Sequence, residues 1–310
     1  MTRSFTSATT IEEALDALDS GARPVAGGTD LVVGARQGKA PLPEAIVAVD
    51  RIGSLRGITE AGDRLRIGAL VTHEEVAASD IIGERFTALA DASAIVGSHA
   101  TRANGTIGGN VMNASPAMDT GGPLLCFDAT ATLRSASGER TIPLGDLWAG
   151  PGVTNSEAGE LLVAIDAPMP APGTASAYVR LEYRRHMEIA VVGATAVVRL
   201  EDGAIADARV AITALAPTIR RVPEAEQALV GTGGDDEAVG AAGRAAAAGS
   251  SPIGDVRGSA EYRSAMAEVM ARRAISAALA RARGRAVRIP ASASTFGSAD
   301  GAGSMNGGRS

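Results

Sequence analysis

Two glycine pairs, each leaving a short apolar run and entering a helical pattern, constrain this chain more than any other feature. The first lies in PVAGGTDL, residues 24–31, and the second in TIGGNVMNASPAMD, residues 106–119. Glycine has no Cβ and takes positive φ at little cost, so backbone N–H groups at Gly27, Gly28, Gly108 and Gly109 can approach an anion closely. Thr29 adds a hydroxyl at the start of a helical turn, where backbone amides favour phosphate. Asn110, Ser115 and Asp119 add short polar groups to the second segment. The pattern predicts two pyrophosphate cradles in separate subdomains, gripping a dinucleotide between them. Neither segment has the spacing G-x-G-x-x-G or G-x-x-x-x-G-K-[ST], so neither a Rossmann turn nor a P-loop accounts for them.

The surrounding pattern predicts an α+β chain. Thr10 and Glu13 form a capping box ahead of a helix over 11–19, and Thr72 and Glu75 repeat it ahead of another. A strand over 23–26 leads into the first glycine pair, and Thr29 or Asp30 caps a helical turn over 31–36. Further strands are expected over 45–49, 64–67 and 161–165, with a helix over 86–96 and a hairpin turning at Ser137-Gly138. The small-residue stretch over 98–123 reads as one long functional loop. The proline-rich run APMPAPGTA, 167–175, marks the main boundary. Beyond it come three strands, 177–182, 189–200 and 208–214, then helices over 223–230, 236–248 and 261–280. In the last of these Tyr262, Met266, Val269, Met270 and Ile275 make a core stripe. These limits give an N-terminal domain over 1–172 (subdomains 1–56 and 57–172), a C-terminal domain over 173–285 and a disordered tail over 286–310.

Composition removes several classes of function. A single cysteine, Cys126, excludes an internal disulfide framework and any cysteine-rich zinc or iron–sulfur site within the chain. Three histidines, at 73, 99 and 186, are too scattered for a metal-binding helix face, so no metal is expected. A net charge of −6 offers no broad footprint for nucleic acid. The N-terminus lacks the apolar run of a secretory signal, and no window approaches the roughly 18 apolar residues of a membrane span. A soluble, cytoplasmic protein is the expectation.

Five segments in order carry a resemblance: AGGTDL at 26–31, RIGALVTHEEV at 66–76, TIGGNVMNASPAMDTGGPLL at 106–125, LEYRRHMEIAVVGATAVVRL at 181–200 and EYRSAMAEVMARRAISAAL at 261–279. Together they resemble the FAD-binding (medium) subunits of molybdenum hydroxylases, the xanthine dehydrogenase and carbon monoxide dehydrogenase flavoprotein family. The resemblance implies a two-subdomain FAD-binding fold like that of vanillyl-alcohol oxidase, followed by a C-terminal domain of three antiparallel strands with helices. It implies that Ala26, Gly27, Gly28, Thr29, Asp30 and Leu31 hold the FAD pyrophosphate, met by Thr106, Ile107, Gly108, Gly109 and Asn110. Asp119 would lie near ribose or ribityl hydroxyls and Leu162 on the flavin side. Arg180 matches a position often occupied by lysine beside the isoalloxazine ring. In a chain whose only lysine is Lys39, it keeps the positive charge with different geometry.

The resemblance also implies a large molybdopterin-binding subunit and a small [2Fe-2S] subunit as partners, in a dimer of heterotrimers. Electrons would pass from the [2Fe-2S] clusters through FAD to NAD or another acceptor. NASPAMD is more similar to xanthine- and nicotinate-type subunits than to the carbon monoxide dehydrogenase type. A carbon monoxide, nicotinate or aldehyde dehydrogenase subunit, or a self-sufficient flavin oxidase, is the alternative.

Other candidates have plainer readings. His73 opens a capped helix and reads as a polar surface residue; His99 touches either the cofactor or a loop carbonyl; His186 reads as structural or as a subunit contact. Cys126 reads as buried. Tyr178, Tyr183 and Trp148 are the ring-stacking candidates, each more simply a core residue. Arg180, Arg184 and Arg185 form either a solvated face or a steering patch for NAD or the iron–sulfur subunit.

Overall fold

The computed structural model describes residues 3–38, 40–184 and 187–291. Lys39, Arg185, His186 and the remainder of the expected tail, 292–310, lie outside the described residues.

The first unit is a small three-stranded parallel sheet with one helix over it. β1 (Ser4–Ser7) and β2 (Arg23–Val25) flank β3 (Ala45–Ala48), while α1 (Ile11–Asp19) and α2 (Leu31–Arg36) sit in the connections. The Thr10 hydroxyl accepts from the Glu13 amide at the start of α1, and Ala14, Leu15 and Leu18 turn into the core. A 3₁₀ turn, Gly53–Leu55, then leads to the second unit.

The second unit is built on a five-stranded antiparallel sheet. Its strands are β4 (Ile58–Ala61), β5 (Arg64–Gly68), β6 (Thr130–Ser135) and β7 (Gly138–Pro143), with the later strand over Leu161–Pro168 at the centre. Between β5 and β6 run six short helices: α3 (His73–Ala78), α4 (Asp80–Arg85), α5 (Thr87–Ala94), α6 (His99–Asn104), α7 (Ile107–Asn113) and α8 (Gly121–Cys126). The stretch expected to be one long loop therefore holds α6, α7 and the start of α8. The β6–β7 turn is Ala136-Ser137, because Ser135 pairs with Gly138, one residue earlier than the sequence suggested. After β7 come α9 (Leu144–Leu147), β8 (Trp148–Gly150), β9 (Val153–Thr154) and β10 (Leu161–Pro168). Along β10, Leu161 and Val163 join the core of the first unit, and Leu162, Ile165 and Ala167 that of the second. This alternation makes β10 the wall common to both.

The C-terminal unit is an antiparallel sheet of β11 (Thr174–Leu181), β12 (Val192–Glu201), β13 (Ala204–Thr213) and β14 (Arg220–Arg221), in that order. A two-residue fourth strand thus joins the three expected, because Ala211 and Ile212 find partners in Arg221 and Arg220. α10 (Pro223–Gln227), α11 (Asp236–Ala248) and α12 (Ala260–Ala282) follow. One face of this sheet, Ala177, Val179, Ala194, Ala196, Val198, Val210 and Ile212, shares a core with α11 and α12. The core side of α12 is mostly alanine (Ala267, Ala271, Ala274 and Ala278, with Met270 and Ile275), whereas Tyr262, expected in the stripe, is exposed. The opposite sheet face carries Ser176, Tyr178, Arg180, Thr195 and Thr213 toward α5 and α8.

A buried ion pair closes the structure. Asp91 of α5 takes both Arg281 nitrogens at 2.6 and 2.9 Å, and also the amides of Tyr178 and Ala291. Of the tail expected to be disordered, Val287 packs against the C-terminal core and Ala291 is fully buried, while Ala286, Arg288 and Ile289 are exposed.

Candidate functional site

The structure brings the two glycine segments together. A Cβ on Gly27 would overlap the Asn104 carbonyl at the end of α6, and one on Gly105 would stand 3.2 Å from the Thr29 hydroxyl and 3.4 Å from His73 Cδ2. Ala26 to Leu31 thus abut the turn that opens α7, across the seam between the first two units. Such backbone-to-backbone approach requires residues without side chains.

The two segments are held very differently. In the second, the Gly105 carbonyl accepts from His73 N–H, while Ile107 and Gly108 donate to the carbonyls of Val71 and Ala69 at 2.8 and 3.0 Å. Thr106 caps α7 by accepting from Gly109 N–H at 3.0 Å. The amides expected to be exposed at Gly108 and Gly109 are therefore already used within the protein. The Gly109 backbone is exposed and Asn110 is half-buried. In the first segment, the amides of Gly27, Gly28 and Thr29 donate to no described residue. Gly28 takes φ +67°, α2 has no side-chain cap, and none of its residues is buried.

His73 lies beneath this junction and is 2% exposed, so the expectation of a surface residue is corrected: α6 and the Thr72–Thr106 bridge cover the start of α3. Its Nδ1 has no partner among the described residues, and burial, reinforced by Arg102, lowers its pKa to about 4. The ring is neutral near pH 7. His99, at the start of α6, receives Arg102 Nη2 on its Nδ1 at 3.1 Å, and Arg102 also donates to the Val96 carbonyl.

Asp119 and Arg180 meet in a second, fully enclosed cluster. Asp119 accepts from the Tyr178 hydroxyl and from Arg180 Nη1, both at 2.7 Å. Arg180 also pairs with Glu182, and its side chain has no accessible surface, so its guanidinium offers none to a ring. Burial opposes the Arg180 charge, yet Asp119, Tyr178 and Glu182 hold its pKa above the usual guanidinium value. Burial pushes the Asp119 carboxyl up while Arg180 and Tyr178 pull it down, and Tyr178 stays a phenol. Next to Asp119, the Thr120 hydroxyl donates to Asn110 Oδ1 at 2.6 Å, linking this cluster to the second glycine segment. The sequence pattern gave no sign of that link.

The remaining candidates fall outside the junction. Leu162 is a buried residue of the second core. Trp148 is buried and donates to the Val111 carbonyl, and Tyr183 is exposed. Cys126 is buried, which pushes its thiol pKa up. Arg184 pairs with Glu188 on the surface.

A mixed α+β fold in which glycine loops from adjacent units meet backbone to backbone, Gly27 against the Asn104 carbonyl, has the close glycine junction that suits a dinucleotide-type cofactor. Residues 1–170 match the model of the FAD binding domain in molybdopterin dehydrogenase, and residues 177–278 that of the CO dehydrogenase flavoprotein C-terminal domain. The carbon monoxide dehydrogenase medium chain of Hydrogenophaga pseudoflava is 35% identical over 86% of this chain and 92% of its own. The xanthine dehydrogenase FAD-binding subunit of Escherichia coli O157:H7 is 30% identical over 91% and 98%. The solved carbon monoxide dehydrogenase of Hydrogenophaga pseudoflava, in the form lacking the Mo-pyranopterin moiety, superposes with a TM-score of 0.86 at 34% identity, covering 91% of this chain and 98% of that one. The chain belongs to the family of FAD-binding medium subunits of molybdenum-containing dehydrogenases, and its cofactor is FAD. No helix among the described residues is long and apolar enough to cross a membrane.

Proposed function

We propose that this chain is the electron-transfer subunit of a cytoplasmic molybdopterin-dependent dehydrogenase, taking electrons from a small [2Fe-2S] subunit and delivering them to NAD or another acceptor. A large molybdopterin subunit would oxidise the substrate, in a dimer of heterotrimers. Two subdomains meeting near residue 57 would form a cofactor fold like that of vanillyl-alcohol oxidase, with the third domain beginning near 173. The observation that supports this most is the approach of Gly27 to the Asn104 carbonyl and of Thr29 to Gly105.

The residues fit FAD. The undonated amides of Gly27, Gly28 and Thr29 are donors a pyrophosphate oxygen would use. Ala26, Asp30 and Leu31 set the loop's course, and Thr106, Ile107, Gly108 and Gly109 form the fixed floor opposite. Asn110 adds a side-chain donor. When bound, FAD supplies a carrier that accepts and releases electrons. Leu162 holds the wall behind it as core, and Asp119 and Arg180 act by positioning.

NASPAMD supports a xanthine-type complex, while identity to the carbon monoxide dehydrogenase medium chain is higher than to the xanthine dehydrogenase subunit. The substrate would be set by the large subunit in either case. The test is purification of the chain and its stoichiometry. One FAD per chain, and reduction of that FAD only when a [2Fe-2S] partner is present, are expected. A chain that takes up no FAD, or one whose FAD is reduced directly by an organic substrate without partners, contradicts the reading.

A further inference from the structure

We propose that Thr120 is a positioning residue for the FAD grip, fixing the Asn110 side chain so that its NH₂ group faces the cofactor. The inference rests on the FAD reading above. With the amides of Ile107, Gly108 and Gly109 used within the protein, the Asn110 side chain is a donor that the second segment still offers. An amide side chain has an acceptor end and a donor end, and which end a ligand meets depends on what holds the other. The Thr120 hydroxyl donates to Oδ1 at 2.6 Å. The NH₂ end has no partner among the described residues and is not sealed from solvent. A pyrophosphate is acceptor-only toward the protein, so the donor end is the one it needs.

Thr120 can hold this orientation because it is itself held from the far side. It is fully buried. Asp119 before it is fastened by Tyr178 and Arg180 of β11. After it, a Cβ on Gly121 would overlap Ile219 Cδ1, and one on Gly122 would stand 2.5 Å from the Thr195 hydroxyl of β12. The start of α8 is therefore pressed against the C-terminal sheet with no slack, and the third unit sets the aim of a residue in the second. Asp119 and Arg180 thus fix the chain on one side of Thr120, and the close contacts at Gly121 and Gly122 fix it on the other.

The test is FAD titration of the full-length apoprotein by flavin fluorescence, with thermal melting as a check on the fold. Thr120→Val keeps the shape and loses the donor. It is expected to weaken FAD binding about 5- to 10-fold, the worth of one hydrogen bond. Thr120→Ser restores binding to near wild type. Thr120→Val combined with Asn110→Ala binds no more weakly than Asn110→Ala alone, because the hydroxyl works only through that side chain. Asn110→Asp keeps the acceptor for Thr120 but turns a carboxylate toward the pyrophosphate, so a loss of about 100-fold or more is expected at an unchanged melting temperature. This variant decides the matter if Thr120→Val does not fold. Wild-type affinity in Thr120→Val or in Asn110→Asp, or additive losses in the double variant, overturns the proposal while leaving the FAD reading intact. A wild-type chain that binds no FAD removes both.

Discussion

The two glycine segments share a residue pattern and, on the function proposed above, a ligand, yet one is finished and the other is open. Over 107–110 every amide has a protein acceptor, Thr106 caps its helix and Ile107 is buried. Around 26–31 the amides of Gly27, Gly28 and Thr29 donate to no described residue, and the helix that follows has neither a cap nor a buried side chain. The difference teaches that a Gly-Gly cradle can serve in two ways. One pair allows backbones to pack so closely that the floor of the site is built before the ligand arrives. The other leaves donors exposed, to be satisfied by the ligand itself.

Substitutions should separate these roles, and the largest effect is expected where the floor is built. A Cβ on Gly108 would stand 2.6 Å from the Ala69 carbonyl and 2.9 Å from Ala69 Cα, both backbone atoms that cannot yield. Gly108→Val is expected to cost about 3 kcal/mol or more of stability, read from denaturant unfolding of the apoprotein. A stable apoprotein that merely lost FAD affinity would show that the second segment is a ligand loop like the first.

Next in size is the acid response of His73, which supports that floor. Its folded pKa of about 4 lies below the ordinary value of 6.5, so the unfolded chain takes up the proton first as pH falls. Stability contributed by the neutral ring is full above about pH 6.5 and declines toward pH 4, by about 3 kcal/mol in total at 1.36 kcal/mol per pKa unit. His73→Gln should flatten that part of the curve, as measured by unfolding at pH 7, 5.5 and 4.5. An identical slope in the variant would place the proton uptake elsewhere.

The legible and illegible parts of the molecule divide along the same line. The caps at Thr10 and Thr72 could be read because they depend on residues three apart in sequence. The first glycine turn was legible for the same reason. The helices within 98–123 were not, since α6 and α7 are short, poor in apolar periodicity and held by pairing with the 69–73 segment. His73 was misplaced because a capping box says where a helix starts and nothing of what later covers it. The alanine face of α12 was overlooked because alanine marks close approach rather than bulk. Arg180 was legible as a strand residue, but its partners were not. Its enclosure comes from Asp119, sixty-one residues away in sequence.

Smaller effects complete the comparison. Gly28 holds φ +67°, and an added Cβ would stand 3.1 Å from Val32 Cγ2, so Gly28→Ala is expected to cost roughly 1–2 kcal/mol, chiefly through left-handed strain. Thr106→Ala removes a helix cap and should cost about 1 kcal/mol in the apoprotein. Thr29→Ala should stay within about 0.5 kcal/mol of wild-type apoprotein stability, because no cap is lost, and lower FAD affinity instead. Equal stability losses at Thr29 and Thr106 would erase the distinction between the two segments.

Hydrogen exchange on the apoprotein and on the FAD-loaded protein, compared segment by segment, tests the account most directly. The amides of 27–36 should exchange rapidly without cofactor and slow strongly on loading at one FAD per chain, while 106–111 is already slow and changes little. Protection of 27–36 before FAD is added, or a gain confined to 106–111, would contradict the division of labour between the two glycine pairs.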